Sequence, residues 1–163
     1  MTLILPRELT IGAIAWVLLV LVAPAALGSD ALAAAAAYLY AAASRICHQL
    51  PDRSFAYSGL QLPVCARCFG LYLSSAAGAT LVWFTAPKLV PWGRVALLVA
   101  AIPTGLTWAL EFAGVAGFSN TTRALAALPL GGVAGWVIVQ MLRYDAESHG
   151  REIHHSRTPP RFG

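Results

Sequence analysis

The chain has 163 residues, 58% hydrophobic and only 11% charged, where soluble domains average about 45–50% and about 25%. With a mean hydropathy of +0.68, a water-soluble globular fold and a disordered chain are both excluded, and a polytopic membrane protein is expected. The formal charge of +4 would suggest a nucleic-acid partner in a soluble chain. Here the basic residues flank apolar runs, where they orient spans, so the expected partner is the lipid bilayer and not nucleic acid.

Taken in chain order, the first expected span is 9–27, an uncharged run that reads as a signal anchor because no clear A-x-A cleavage site closes it. The next stretch, Ala31–Ala43, is Ala-rich and 13 residues long. It reads as a short outer cap helix with Asp30 as N-cap and with Tyr38 and Tyr40 at headgroup level. The alternative, a fifth crossing, is disfavoured by its length. Further spans are expected at 69–86, 95–118 and 124–142. Each is long enough for a hydrocarbon core of about 30 Å. Helices are the sensible conformation, since an isolated strand would leave its backbone unpaired in lipid. Pro24, Pro103 and Pro129 lie inside these runs and mark expected kinks. The expected fold is thus all-α, a bundle of four transmembrane helices with a short outer cap, filling residues 1–143.

The positive charges set an orientation. Four spans place Arg7, Lys88, Arg94, Arg143, Arg151, Arg157 and Arg161 on one side and Arg45, Arg53, Arg67 and Arg123 on the other. The bias predicts a multi-pass protein of the plasma membrane with both termini cytoplasmic and the 44–68 loop exoplasmic. The polar tail 144–163 is expected to be disordered or weakly ordered, a solvated cytoplasmic extension. Its His149, His154 and His155 raise metal binding as a second reading.

All three cysteines fall in the 44–68 loop, as Cys47-His48, sixteen residues, then Cys65-Ala-Arg67-Cys68. Two chemistries fit. A C-x-x-C pair lets two sulfurs meet one ion from a single turn, and a second donor pair 15–20 residues away completes a tetrahedral site. Cys47, His48, Cys65 and Cys68 then form a Cys₃His set suited to zinc, with copper as a second choice. Adjacent Cys47 and His48 can both bind only from a bent backbone. Alternatively, Cys65/Cys68 form a dithiol–disulfide couple at a helix N-terminus, with Arg67 adding positive charge and Cys47 as partner thiol. Membrane proteins that generate disulfides with quinone use a similar layout, but they need a second cysteine pair. A disulfide that merely ties down the loop is the third possibility.

The strings C47-H-Q-L-P-D-R-S-F55 and P63-V-C-A-R-C-F-G70 resemble those of a family of small predicted bacterial and archaeal membrane proteins carrying a domain of unknown function. The resemblance runs from Cys47 to Gly132 and takes in Gly105, Arg123 and the Gly131–Gly132 pair. One departure is Thr104, where the family pattern has an acidic residue. The resemblance implies no particular activity.

Other polar residues cluster at the same outer side. Glu111 lies about 25 Å along its span from Arg94 at 1.5 Å per residue, and Arg123 opens the next span, so the two can pair. The plainer alternative leaves Glu111 in the headgroup zone without a partner. Arg53 and Arg67 flank the cysteines and can clamp a phosphate or carboxylate, such as a lipid headgroup, or simply meet bulk phospholipid. Glu111, Arg123, Arg53 and Arg67 are therefore the expected supporting, anion-binding group. Gly70, Ser74, Ser75 and Gly78 on one span, with Gly131, Gly132 and Gly135 on another, signal close helix packing. The leading functional expectation is a metal-binding membrane protein. Its rivals are a thiol–disulfide oxidoreductase and a non-catalytic accessory subunit of a membrane complex.

Overall fold

The computed structural model describes residues 3–57 and 59–157, with side chains as far as Ser148. Its elements are α1 (Ile4–Leu27), α2 (Ala33–Ala43), β1 (Ala56–Tyr57), β2 (Leu60–Gln61), α3 (Ala66–Leu81), α4 (Gly93–Phe112) and α5 (Asn120–Arg157). The fold is mostly helical, as expected, but it is not all-α. Strands β1 and β2 pair antiparallel, Ala56 with Gln61 and Tyr57 with Leu60. Gly59 in their connection has φ +80°, a backbone angle that costs glycine little.

Among the described residues, three helices are long and apolar enough to cross a membrane: α1, α4 and the Asn120–Ser148 part of α5. Helix α3 has 16 residues and runs into a 3-10 turn at Val82–Phe84, so its fully α-helical part is shorter than the 69–86 span expected there. Helix α4 also stops early, at Phe112 and not at 118. Gly114 at φ +68° takes the left-handed conformation that ends helices, and its N–H bonds back to the Glu111 carbonyl at 3.1 Å. Pro24, Pro103 and Pro129 all sit inside their helices.

Two local expectations are corrected. Asp30 does not cap α2. The helix starts at Ala33 with Leu32 as N-cap and no side-chain cap, because a turn closes first, with Leu32 and Ala33 both donating to the Ser29 carbonyl. The tail does not lose structure at residue 144 either, since α5 continues to Arg157. Between Tyr144 and Arg157 the segment contains no proline and one glycine, so nothing in it stops a helix already propagating from the bundle. The side chains of His149, His154 and His155, and residues 158–163, lie outside the described residues.

The main packing is α3 against α5, with α4 also on α5, α1 on α3, and α2 on α1. Small residues make this possible. A Cβ added to Gly70 would overlap the Ala124 carbonyl. One on Gly78 would overlap the Gly132 carbonyl, one on Gly131 Ser74 and the Leu71 carbonyl, and one on Gly135 the Ser75 carbonyl. In lipid the drive for such contact is close van der Waals packing, which only small residues permit. Outward faces are apolar. Leu18, Leu19 and Val22 on α1 and Leu98, Val99, Ile102 and Leu106 on α4 are all exposed, a surface that suits hydrocarbon and not water.

At the end of the bundle away from the cysteines, α5 closes the α3 terminus. Arg143 donates to the Val82 carbonyl and to the Thr85 carbonyl, and its guanidinium stacks 4.8 Å from the Trp83 ring centre. Fully buried Gln140 donates to the Ala86 carbonyl at 2.8 Å. Trp83 Nε1 donates to Thr10 Oγ1 at 3.0 Å, which joins α1. The Arg143 and Gln140 bonds pair the Thr85 and Ala86 carbonyls just past the helix end, and Arg143 adds a donor to the Val82 carbonyl that already accepts the Thr85 N–H. Sequence alone treats Arg143 as a surface charge, yet the side chain is buried.

Replacing Gly78 or Gly135 by leucine is expected to destabilise the protein in detergent by at least the overpacking range of about 1–3 kcal/mol. Gly12→Leu and Gly105→Leu, where nothing lies within 4 Å, should leave the thermal midpoint near wild type. Thermal unfolding of the four variants checks this.

Candidate functional site

The cysteine loop leaves α2 at Ser44 and returns to α3 at Cys65. Its path is fixed by three amide and phenol side chains. Gln49 Nε2 donates to the Tyr40 carbonyl at 2.9 Å and to the Pro63 carbonyl at 2.7 Å. Gln61 Nε2 donates to the Gln49 carbonyl at 3.1 Å, and Tyr40 Oη donates to the Gln61 carbonyl. Gln49 itself is held at φ +48°, a conformation that a non-glycine residue adopts at some cost and that recurs at functional sites. These bonds stitch the two halves of the loop together, so Cys47 arrives beside Cys65. Sequence reasoning missed Gln49 and Gln61. Tyr40, expected at headgroup level, is a loop anchor.

The three sulfurs lie within 4.8 Å of one another, and none is in a disulfide. Cys65 is the N-cap of α3 in extended backbone geometry, and its N–H donates to Cys47 Sγ at 3.0 Å. Cys68, one turn on, faces the same way. The surroundings are apolar: Val20, Ala43 and Val64 are buried with Cys47 and Cys65, and Trp16, Phe69 and Tyr72 pack around them. A hydrogen bond from the Cys68 thiol outweighs burial and pulls Cys65 down to about 5, with smaller help from Cys47 and from the charge of His48. Within the group, the pull toward the thiolate form thus falls on Cys65.

His48 lies outside this group. Its imidazole is exposed, and its Nδ1 accepts the Leu50 N–H at 3.2 Å. Adjacent residues 47 and 48 thus point apart, Cys47 inward and His48 outward.

Arg67, between the two cysteines of the C-x-x-C turn, is directed away from them. Its Nη2 donates to Glu111 Oε2 at 3.0 Å, while Arg123 Nε donates to Glu111 Oε1 at 2.7 Å. The Glu111 side chain is 6% exposed. The Glu111–Arg123 pair that sequence suggests is present, with Arg67 as a third member, and the alternative of an unpartnered glutamate is excluded. Arg123 Nη1 also donates to Asn120 Oδ1 at 2.8 Å, and Asn120 Nδ2 donates to the Ser54 carbonyl at 3.0 Å. Ser119 Oγ accepts the Thr122 N–H at 3.1 Å and caps α5. Arg53, next to Ser54, is half-exposed and 3.8 Å from the exposed Asp52 carboxylate. The signal that could have pointed to Arg67 is its register, since it precedes Gly70 by one turn, and Gly70 sits against Ala124 beside Arg123.

Fold and site together define a small helical membrane protein with a thiol cluster set into the bundle at one end. The chain belongs to the family described as "Predicted membrane protein (DUF2085)", which matches residues 47–137. That range opens on Cys47 and includes the cysteine loop, the Glu111–arginine group and the glycine faces. The chain is 35% identical over 105 residues to an uncharacterized protein of Methanocaldococcus jannaschii, covering 62% of this chain and 64% of that relative's length. It is 30% identical over 100 residues to an uncharacterized protein of Methanothermobacter thermautotrophicus, covering 61% of this chain and 88% of the relative. No solved structure matches.

Glu111→Gln is expected to cost about 3–5 kcal/mol, because it leaves two largely buried guanidiniums with no counter-charge. Replacing the whole triad by apolar residues of similar size should cost less than that single change. Thermal midpoints of the single and triple variants in detergent test both statements.

Proposed function

We propose that this protein is a metal-binding integral membrane protein whose site is the Cys47–Cys65–Cys68 cluster at the outer face, with zinc as the metal. The observation that carries the reading is three sulfurs gathered in an apolar pocket from two separate segments of chain. A tetrahedral zinc with Zn–S bonds of about 2.3 Å spaces its sulfurs about 3.8 Å apart, compatible with a group spanning no more than 4.8 Å. For all three sulfurs to act as thiolate ligands in such surroundings a cation would have to stand among them, and the arginine of the motif is committed to Glu111. A metal ion supplies that charge. The Cys65 N–H bond to Cys47 Sγ is the kind of outer contact that orients a thiolate ligand.

In the proposed site the three thiolates are the standing ligands. His48, which points outward here, would supply the fourth ligand only by turning toward the sulfurs and giving up the Leu50 bond. With His48 in place the zinc is structural; with the position left to a solvent or substrate group it is a transfer or catalytic site. Three sulfurs also suit cuprous copper.

One further reading has support. The lowered Cys65 and its partner Cys68 at a helix start are what a thiol–disulfide couple requires, with quinone as electron acceptor in a membrane setting. Against it, Arg67 turns away from the sulfurs. An accessory role in a larger complex draws on the small size alone.

The topology is part of the proposal. Helix α3 carries Arg67, at the level of Glu111 and Arg123, at one end. At the other it meets Thr10 and Arg143. It thus runs the length of the bundle beside α1 and α5, and counting its 3-10 extension we read it as the fourth span. With four spans the basic residues favour cytoplasmic termini, an exoplasmic cysteine loop and a plasma-membrane location.

Purified protein should carry about one zinc per chain, and each of Cys47→Ser, Cys65→Ser and Cys68→Ser should lose it. His48→Ala should retain metal with affinity lowered about tenfold or more. Elemental analysis with thiol trapping decides the matter: three thiols alkylated only after chelation support zinc, and a Cys65–Cys68 disulfide in metal-free protein replaces the reading with the oxidoreductase. Separately, a cysteine-reactive impermeant label should reach a reporter cysteine placed at Asp52 from outside the cell, and one placed at Glu147 only after lysis.

A further inference from the structure

We infer that the arginines beside the thiol cluster form a binding site for a phosphate group, with Arg53 as its principal ligand. Three arginines lie at this end of the molecule. Arg67 and Arg123 share the single carboxylate of Glu111. Arg53 is brought near them by contacts of the two residues that follow it. The Ser54 carbonyl accepts from Asn120, which in turn holds Arg123, and the Phe55 ring meets the Phe69 ring edge-on at 5.9 Å. Residue 53 is therefore seated over the starts of α3 and α5 together.

The charges there do not balance. Three arginines face two carboxylates: Glu111 neutralises one of its two, and exposed Asp52 forms an ion pair with Arg53 at 3.8 Å, beyond hydrogen-bond reach, so one positive charge is left over. The donors do not balance either. Arg53 Nε and Arg67 Nε are both buried with no acceptor among the described residues. Two orphaned guanidinium N–H groups at the same end of the molecule, each costly to leave unmade, point to an acceptor that comes from outside the chain. A tetrahedral oxyanion with several acceptor oxygens matches planar guanidinium donors and the surplus positive charge. The site stands independently of the metal, since neither Arg53 nor Arg67 contributes a metal ligand.

Such a group can come from a phospholipid headgroup or from a soluble phosphate, and the test separates them. Detergent-purified protein is titrated with inorganic phosphate and, separately, with phosphatidylglycerol in mixed micelles, reading thermal shift and native mass spectrometry. The variants are Arg53→Gln, Arg53→Lys and, as an equal charge change elsewhere on the loop, exposed Arg45→Gln. Arg53→Gln leaves the Glu111 triad intact, so the protein should fold with an unchanged midpoint when no ligand is added. We expect wild type and Arg45→Gln to bind alike and Arg53→Gln to bind about tenfold or more weakly. Arg53→Lys should fall between, because it keeps the charge and loses the fork. Binding of phosphatidylglycerol alone assigns a lipid headgroup, and binding of inorganic phosphate assigns a soluble ligand. Equal loss in Arg45→Gln and Arg53→Gln, or no saturable binding of either probe, overturns the inference.

Discussion

The close contact of α3 with α5 sets the position of nearly everything else. Where Gly70 meets the Ala124 carbonyl and Gly78 meets that of Gly132, the two helices touch backbone to backbone. That contact fixes both their separation and their register. Arg67 lies one turn before Gly70, and Arg123 immediately precedes Ala124. Locking those two points together therefore presents two guanidiniums to the same place on α4, where Glu111 receives both. At the opposite end the same register puts Gln140 and Arg143 against the carbonyls that close α3. One packing constraint thus determines an ion cluster at one end and a helix closure at the other.

The thiol cluster depends on a second, local constraint. Cys65 and Cys68 are fixed by the start of α3, but Cys47 comes from a loop that could lie elsewhere. The crossed bonds of Gln49, Gln61 and Tyr40 hold it. Cys47 then completes its seat by accepting the Cys65 N–H. The hairpin at residues 56–61 is small, yet it turns the chain back so that Gln61 can reach Gln49. Polar side chains thus do the positioning, while Val20, Ala43 and Val64 exclude water from the sulfurs.

Much of this was legible in the sequence because it rests on one-dimensional signals. Apolar runs of span length, the confinement of cysteine to one window, the glycine and serine faces and the Glu111–Arg123 pair all follow from composition or spacing. What was not legible depends on direction and on neighbours. Arg67 could be read as lying between two cysteines, but which way its side chain turns is decided by α4. His48 next to Cys47 looks like a ligand pair, yet at adjacent positions the two side chains diverge. Arg143 counts as a topology charge in sequence and proves to be a buried cap. The end of α4 was set by a left-handed Gly114 inside an apolar run, where hydropathy gives no boundary. Helix α5 passes residue 144 because helix propensity, and not hydrophobicity, governs a polar extension.

The order of the ionic residues along the chain bears on how such a protein is made. An unpaired acid on a helix entering the membrane is costly, and synthesis delivers α4 before α5. Were Arg123 the sole partner, Glu111 would have to wait in the bilayer for a residue not yet translated. Arg67 precedes it by 44 positions, so a counter-charge is already at hand when α4 emerges. Arg123, on the helix translated last, completes the group where α5 packs against α3. The second arginine, redundant for neutralising one carboxylate, gives assembly of the bundle a defined sequence of events.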